Sequence, residues 1–245
     1  MSISFLQWNI LVTEPIENIA KTIKSLDPDI AVLQEISKNF EEQNQKDTGK
    51  YLANELGYNY FVKEAHIWKD GRLVSNGIYT KHKILNSKYI YIKNSEDGAD
   101  EDWSKEGRVY IEASIDMNSR VLNIGTTHLS YVSAFKWNDD KEKEAKKLLN
   151  ILKDKNKNFI FGGDLNAFPD SSVVRGIMCN LQHCGPSFEE KTFANKPFDD
   201  GRGFSGEDLA YRIDYVFASY DLKILSSKIV QTPFSDHLPI LVEFE

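Results

Sequence analysis

Five apolar runs in this chain end abruptly at small clusters of polar side chains. The clusters are Gln7-Trp8-Asn9, Leu33-Gln34-Glu35, Thr126-Thr127-His128, Gly162-Gly163-Asp164-Leu165-Asn166 and Ser235-Asp236-His237-Leu238-Pro239. Short continuous apolar runs of this kind read as buried strands, so the chain is constrained to a sheet-rich core whose strands stop at reactive groups. Asn9 and Asn166 offer amides, Glu35, Asp164 and Asp236 carboxylates, and His128 and His237 imidazoles. That is an inventory for binding one hard divalent cation and hydrolysing a phosphate ester.

The stretches between these runs alternate in character. The segment 3–8 predicts a strand. Thr13 is the expected N-cap of a helix carrying Pro15 in its first turn and Ile16, Ile19, Ala20 and Ile23 at helical spacing. Asp27-Pro28-Asp29 breaks that helix, and 30–33 is the next strand. A second helix is predicted over 48–56, closed by Gly57, and strands over 58–63, 77–80, 89–92, 109–115 and 121–127. Residues 94–106 carry six acidic side chains and read as a solvated loop. An amphipathic helix over 138–153 buries Ala145, Leu148, Leu149 and Leu152, with its lysines, Lys141 among them, assigned to the wet face. Further strands are expected at 159–161, 212–219, 222–230 and 240–242, and a helix start at Pro169-Asp170-Ser171. Mixed strands with intervening helices indicate an α/β protein with more than one sheet.

Length and charge narrow the function. The 245 residues fit one domain, 1–245, burying roughly 70–75% of the unfolded chain's surface. Cys179 and Cys184 imply no disulfide framework. Ser2-Ile3-Ser4-Phe5-Leu6 carries no basic leader, and no apolar stretch reaches the roughly 18 residues of a membrane span, so a cytoplasmic monomer is expected. A net charge of −7, with 37 acidic against 30 basic side chains, argues against a protein whose main work is gripping duplex DNA, though it leaves nuclease chemistry open.

Each cluster has a chemical reading. Glu35 and Asn9, both just beyond a buried strand, suit Mg²⁺ or Mn²⁺; singly, each would more ordinarily be a surface carboxylate or a turn residue. The Asp164-x-Asn166 spacing places two polar groups on one side of an extended segment, a base for water and a donor to a phosphoryl oxygen; the competing reading is an Asx turn. Asp236 and His237, being adjacent, are expected to point apart. Asp214 interrupts an apolar strand pattern and needs a partner, for which His237 is the candidate. His128 closes a strand as the other clusters do, which favours a ligand-facing role over a core histidine.

Taken in order, these residues resemble the endonuclease/exonuclease/phosphatase superfamily of metal-dependent phosphoesterases. The match runs from Gln7-Trp8-Asn9 through Leu33-Gln34-Glu35, Asn76-Gly77-Ile78, Thr127-His128-Leu129, Gly162-Gly163-Asp164-Leu165-Asn166 and Arg212-Ile213-Asp214-Tyr215 to Ser235-Asp236-His237. The resemblance implies a DNase I-like, four-layer α/β/β/α sandwich: two packed, mixed, mostly antiparallel sheets with outer helices. It implies Glu35 as principal metal ligand with Asn9 and Asp236 on or near the metal, Asp164 orienting or deprotonating the attacking water, and Asn166 and His128 holding phosphoryl oxygens. His237, oriented by Asp214, would contact the phosphate, and Asn76 would line the pocket. The continuation Ala167-Phe168-Pro169-Asp170-Ser171 looks like the branch of deadenylases, sphingomyelinases and tyrosyl-DNA phosphodiesterases. One departure is visible: relatives often carry an Arg and a Gln early in the helix after His128, where this chain has Trp137, Asp139, Asp140 and Lys141. The expected activity is Mg²⁺- or Mn²⁺-dependent hydrolysis of a phosphodiester or phosphomonoester, with an endo- or exonuclease and an inactive scaffold on the same fold as alternatives. Segments 63–74, 94–107, 131–140 and 191–209 are the expected pocket rims.

Overall fold

The first strand sets the plan of the whole molecule. Along β1 (Ile3–Asn9), Ile3, Phe5, Gln7 and Asn9 share one face, and Ser4, Leu6 and Trp8 the other. The chain continues through α1 (Ile16–Leu26), β2 (Ile30–Lys38), α2 (Thr48–Leu56), β3 (Asn59–Ile67), β4 (Leu73–Thr80), β5 (Ile84–Lys93), β6 (Arg108–Asp116) and β7 (Val121–His128). Then come α3 (Asp139–Leu152), β8 (Phe159–Asp164), α4 (Ser172–Met178), β9 (Gln182–His183), β10 (Phe198–Asp199), β11 (Ser205–Gly206), β12 (Asp214–Ala218), β13 (Ile224–Ile229) and β14 (Ile240–Phe244). This computed structural model describes residues 2–99, 102–118 and 120–245, so Asp100 and Glu101 of the acidic loop lie outside the described residues.

Two six-stranded sheets form, ordered β13-β14-β1-β2-β4-β3 and β5-β6-β7-β8-β12-β9. Each holds one parallel pair at its centre, β1 with β2 and β7 with β8, and the other pairings are antiparallel. The sheets pack through a shared core that includes Ile3, Phe5, Val32, Ile124, Ile160, Val216 and Val242. Helices α1 and α2 cover one outer face with Leu6, Trp8 and Leu33, and α3 and α4 cover the other with Phe159, Phe161 and Phe217. The result is the α/β/β/α sandwich that the family resemblance implied.

Inner-face polarity changes along the strands. On β1 the inward residues run Ile3, Phe5, Gln7, Asn9; on β7 they run Leu122, Ile124, Thr126, His128; on β8, Ile160, Gly162, Asp164. β12 runs antiparallel to β8 and delivers Asp214 opposite Asp164. One pole of the sandwich is therefore an apolar core, and the other gathers polar side chains. Gly162 marks where the sheets approach closely: a Cβ there would lie 2.9 Å from both Phe5 Cε1 and Val32 Cγ2.

Several local expectations change. Thr13 does not cap α1; Pro15 occupies the N-cap with no side-chain hydrogen bond. Strand β2 extends through Lys38 because a register shift between Leu33 and Ile36 lets pairing resume. Glu35 sits in that bulge with φ 65, a left-handed conformation that turns its side chain out of the ladder. Lys141 is not on the wet face of α3: it is 1% exposed.

Gly162→Val is expected to force Phe5 and Val32 apart and cost about 1–3 kcal/mol, read as a lower urea midpoint at an unchanged slope. A midpoint equal to wild type would show that the sheets have slack at this point.

Candidate active site

At the polar pole the hub is one oxygen, Asp164 Oδ2. Asn9 Nδ2 donates to it at 3.1 Å, His128 Nε2 lies at 3.3 Å and His237 Nε2 at 3.7 Å. Asn9 Nδ2 also donates to Glu35 Oε1 at 2.9 Å, so this amide bridges two carboxylates. Its Oδ1 accepts from Leu11 N, and Val12 N donates to Glu35 Oε2, both at 3.1 Å.

Asp164 and Asn166 do not share an extended segment. Asn166 has φ 46, and its N–H donates to Asp164 Oδ1 at 2.9 Å, so a turn brings the two together. Asn166 Nδ2 donates to Leu129 O and reaches His128 Nε2, each at 3.0 Å. The carbonyl fixes the amide's orientation, so His128 Nε2 accepts and the ring is neutral. Burial and the nearby charges of Arg108, His237 and Lys141 hold the His128 pKa well below its usual value, in agreement.

His237 is held differently. Its Nδ1 is 2.9 Å from Asp214 Oδ2, and Trp8 Nε1 donates to its backbone carbonyl at 2.8 Å. Burial opposes a charged ring, but Asp214, Asp164 and Asp236 outweigh it and raise the pKa well above the ordinary histidine range. Asp236 and His237 do not point apart: Asp236 Oδ1 lies 4.0 Å from His237 Nε2, because Ser235 turns the chain at φ 63 and its hydroxyl bonds Asn9 O.

Gln7, Gln34 and Thr126 stand in the strand-end clusters, and no role is legible for them from composition alone. In the structure Gln7 Nε2 donates to Asp214 Oδ1 at 3.1 Å and to Gln34 Oε1 at 2.9 Å, while Gln34 Nε2 donates to Thr126 Oγ1 at 2.9 Å. A buried amide chain thus crosses from one sheet to the other and ends on the carboxylate that holds His237. The signal was parity: Gln7 lies two residues from both Phe5 and Asn9, on the inward face. Asn76 Nδ2 donates to Val109 O at 2.8 Å, tying β4 to β6, and Thr127 Oγ1 uses the same carbonyl.

The carboxylates are crowded. Burial first, then the charge of Asp214, pushes the Asp164 carboxyl up to about 7, against the pull of His237, the Asn9 amide and the Asn166 N–H. Glu35 is raised as well, by desolvation and by Asp236, while Asn9, His237 and the Val12 N–H oppose the shift. Glu35 and Asp236 are partly exposed, whereas Asp164 and Asp214 are buried. Asp164, Asp214 and His237 bring donor atoms within 4.8 Å of one another, a spacing that could itself hold an ion. A protonated imidazole is no ligand, however, and Asp214 is already bonded to it. The partly exposed Glu35–Asp236 pair, two hard oxygen donors whose mutual repulsion a cation would relieve, is the better fit for a divalent ion.

Three of the expected rims touch one another: 94–107 meets 191–209 where Arg202 Nη2 pairs with Asp102 Oδ1 at 2.8 Å, and 131–140 meets it where Tyr131 OH donates to Asp200 Oδ2 at 3.0 Å. A cavity of about 340 Å³ begins at Ala167, next to Asn166, with Phe135, Trp137, Phe168 and Arg175 in its wall.

Comparison with known proteins agrees with this architecture. The family model described as "Endonuclease/Exonuclease/phosphatase family" matches residues 6–237. No curated protein matches by sequence. Similar solved structures include an endonuclease/exonuclease/phosphatase from Beutenbergia cavernae, at TM-score 0.75 and 17% identity over 100% of this chain and 71% of that one. A mannosyl-6-phosphatase of Bacteroides thetaiotaomicron aligns at TM-score 0.70 and 19% identity, over 99% of each chain. D. rerio TDP2 complexed with single-strand DNA product aligns at 0.71 and 16%, over 100% of this chain and 99% of that one.

The raised pKa values of Asp164, Glu35 and His237 all mean that the folded protein binds more protons than the unfolded chain. Their stabilising contribution is present at low pH and is lost as pH rises through the folded values. In EDTA, the melting temperature is therefore expected to fall between pH 6 and pH 8, and Asp164→Asn to flatten that fall. Millimolar Mn²⁺ is expected to raise the melting temperature more at pH 8, where fewer protons must be displaced. A pH-independent melting temperature in EDTA would contradict the crowding described here.

Proposed function

The chain belongs to the Endonuclease/Exonuclease/phosphatase family, and on that premise we propose that it hydrolyses a phosphodiester or phosphomonoester with Mg²⁺ or Mn²⁺. Family members are hydrolases of phosphate esters and generally depend on a divalent metal. One observation carries the reading: a single oxygen of the buried Asp164 has Asn9, His128 and His237 within 3.7 Å, beside the partly exposed Glu35 and Asp236. Burial pushes that carboxyl up to about 7, and carboxylates perturbed in this way concentrate at functional sites.

Glu35 and Asp236 would hold the ion, with Asn9 steadying Glu35 against Asp164. When bound, the ion supplies Lewis-acid stabilisation of negative charge on the phosphoryl group and its leaving oxygen. Asp164 Oδ2 takes the proton from the attacking water, a task suited to a group that titrates near neutral pH. Asp214 occupies His237 Nδ1, which leaves the Nε2–H to donate to a phosphoryl oxygen as charge develops. Both N–H bonds of the Asn166 amide are taken, by Leu129 O and by His128 Nε2, so this pair fixes the neutral His128 ring beside Asp164 and adds no charge of its own. Asn76 contributes to the wall through β4. The cavity beginning at Ala167 is a place for the group beyond the phosphate, and the net charge of −7 supports a small or single-stranded substrate over duplex DNA.

Purified protein is expected to hydrolyse bis(p-nitrophenyl) phosphate or p-nitrophenyl phosphate with Mg²⁺ or Mn²⁺ and to stop in EDTA. Asp164→Ala is expected to lower kcat by about 10²–10⁴-fold with the fold retained by circular dichroism. Turnover that survives both EDTA and Asp164→Ala would remove this mechanism.

A further inference from the structure

We infer that Lys141 and Glu144, three residues apart at the start of α3, form a two-charge clamp that fixes the loops carrying Asn166 and His128. Both are then positioning residues for the hydrolysis proposed above, and the inference rests on that reading of the site.

The two side chains are 1% and 3% exposed. Lys141 Nζ donates to the backbone carbonyl of Asn166. Glu144 Oε2 accepts from Ser130 N at 2.9 Å, and its Oε1 from Ser130 Oγ at 2.6 Å, two residues beyond His128. Arg108 Nε donates to the same hydroxyl at 3.2 Å. The hydrogen bond between Asn166 Nδ2 and His128 Nε2 is thereby held at both ends from a single helix.

Lys141 stands where simple energetics disfavours it. It is a buried ammonium, and it occupies the third residue of α3, next to the positive end of the helix dipole. An ordinary surface lysine would avoid both penalties by turning outward. What it gains inside is the Asn166 carbonyl, at a residue whose left-handed φ of 46 would relax readily if that carbonyl were released. Glu144 supplies the compensating charge and grips the other loop. A purely structural ion pair would need neither loop; Lys155–Glu112, at 2.8 Å, is one such pair outside the site.

The test compares Lys141→Met, Lys141→Arg, Glu144→Gln and the control Lys155→Met in the full chain. It uses the turnover assay above and the side-chain amide NMR signals of Asn166. Lys141→Met is expected to lower kcat by about tenfold or more while KM stays within about twofold, and Lys141→Arg to recover most of the loss. The Asn166 amide signals are expected to shift in Lys141→Met and Glu144→Gln and to stay in place in Lys155→Met. Unmoved Asn166 signals, or a kcat loss no larger than that of Lys155→Met, would overturn the clamp. If Lys141→Met does not fold, Glu144→Gln is read by the same criteria. If wild type shows no turnover that depends on Asp164, the proposed function fails, while the Asn166 signals alone still decide the clamp.

Discussion

The site is organised around two buried carboxylates, Asp164 and Asp214, which face each other across β8 and β12 and repel. Neither would be tolerated between two sheets without hydrogen-bonding partners of its own. Asp214 is held by the His237 imidazole and the Gln7 amide, and Asp164 by the Asn9 amide and the Asn166 N–H. The apolar core at the opposite pole makes the arrangement affordable. Ile3, Phe5, Val32, Ile124 and Ile160 anchor the strands so firmly that their far ends can carry unfavourable charge in fixed positions.

That charge is unevenly distributed, and the unevenness is functional. His237 is driven to carry a proton and His128 is kept from carrying one, although both rings lie within 3.7 Å of the same oxygen. The difference lies in their neighbours: three carboxylates surround His237, while Arg108 and Lys141 stand near His128. Two chemically identical side chains thus receive opposite protonation states, one suited to donating to an anion and the other to orienting an amide.

Much of this was legible beforehand, because strand ends declare themselves through hydrophobic alternation that stops. The helix–strand order, the sandwich and the gathering of the five clusters all followed from that signal together with the family resemblance. What stayed hidden depended on tertiary context. Lys141 lies in a lysine-rich helix, where composition favours solvent, and only the nearby Asn166 carbonyl explains its burial. The αL conformations of Glu35 and Asn166 bend segments that periodicity reads as straight. Thr13 has the right chemistry for a cap, but the helix begins two residues later, behind Pro15. Gln7 was readable in principle, since its parity matches Asn9, yet nothing local names Asp214 as its partner more than two hundred residues away.

The central parallel pairs have one more consequence. A parallel pair must be joined by a crossover, here through α1 in 3–38 and through α3 in 121–164, and both of its strands finish at the same pole. The first crossover unit delivers Asn9 and Glu35, and the second His128 and Asp164. The two units also occupy matching places, third and fourth, in their respective strand orders. Recombination that exchanges one unit between relatives therefore transplants a matched pair of groups, never a solitary residue, while Asp214, Asp236 and His237 stay behind with the C-terminal strands.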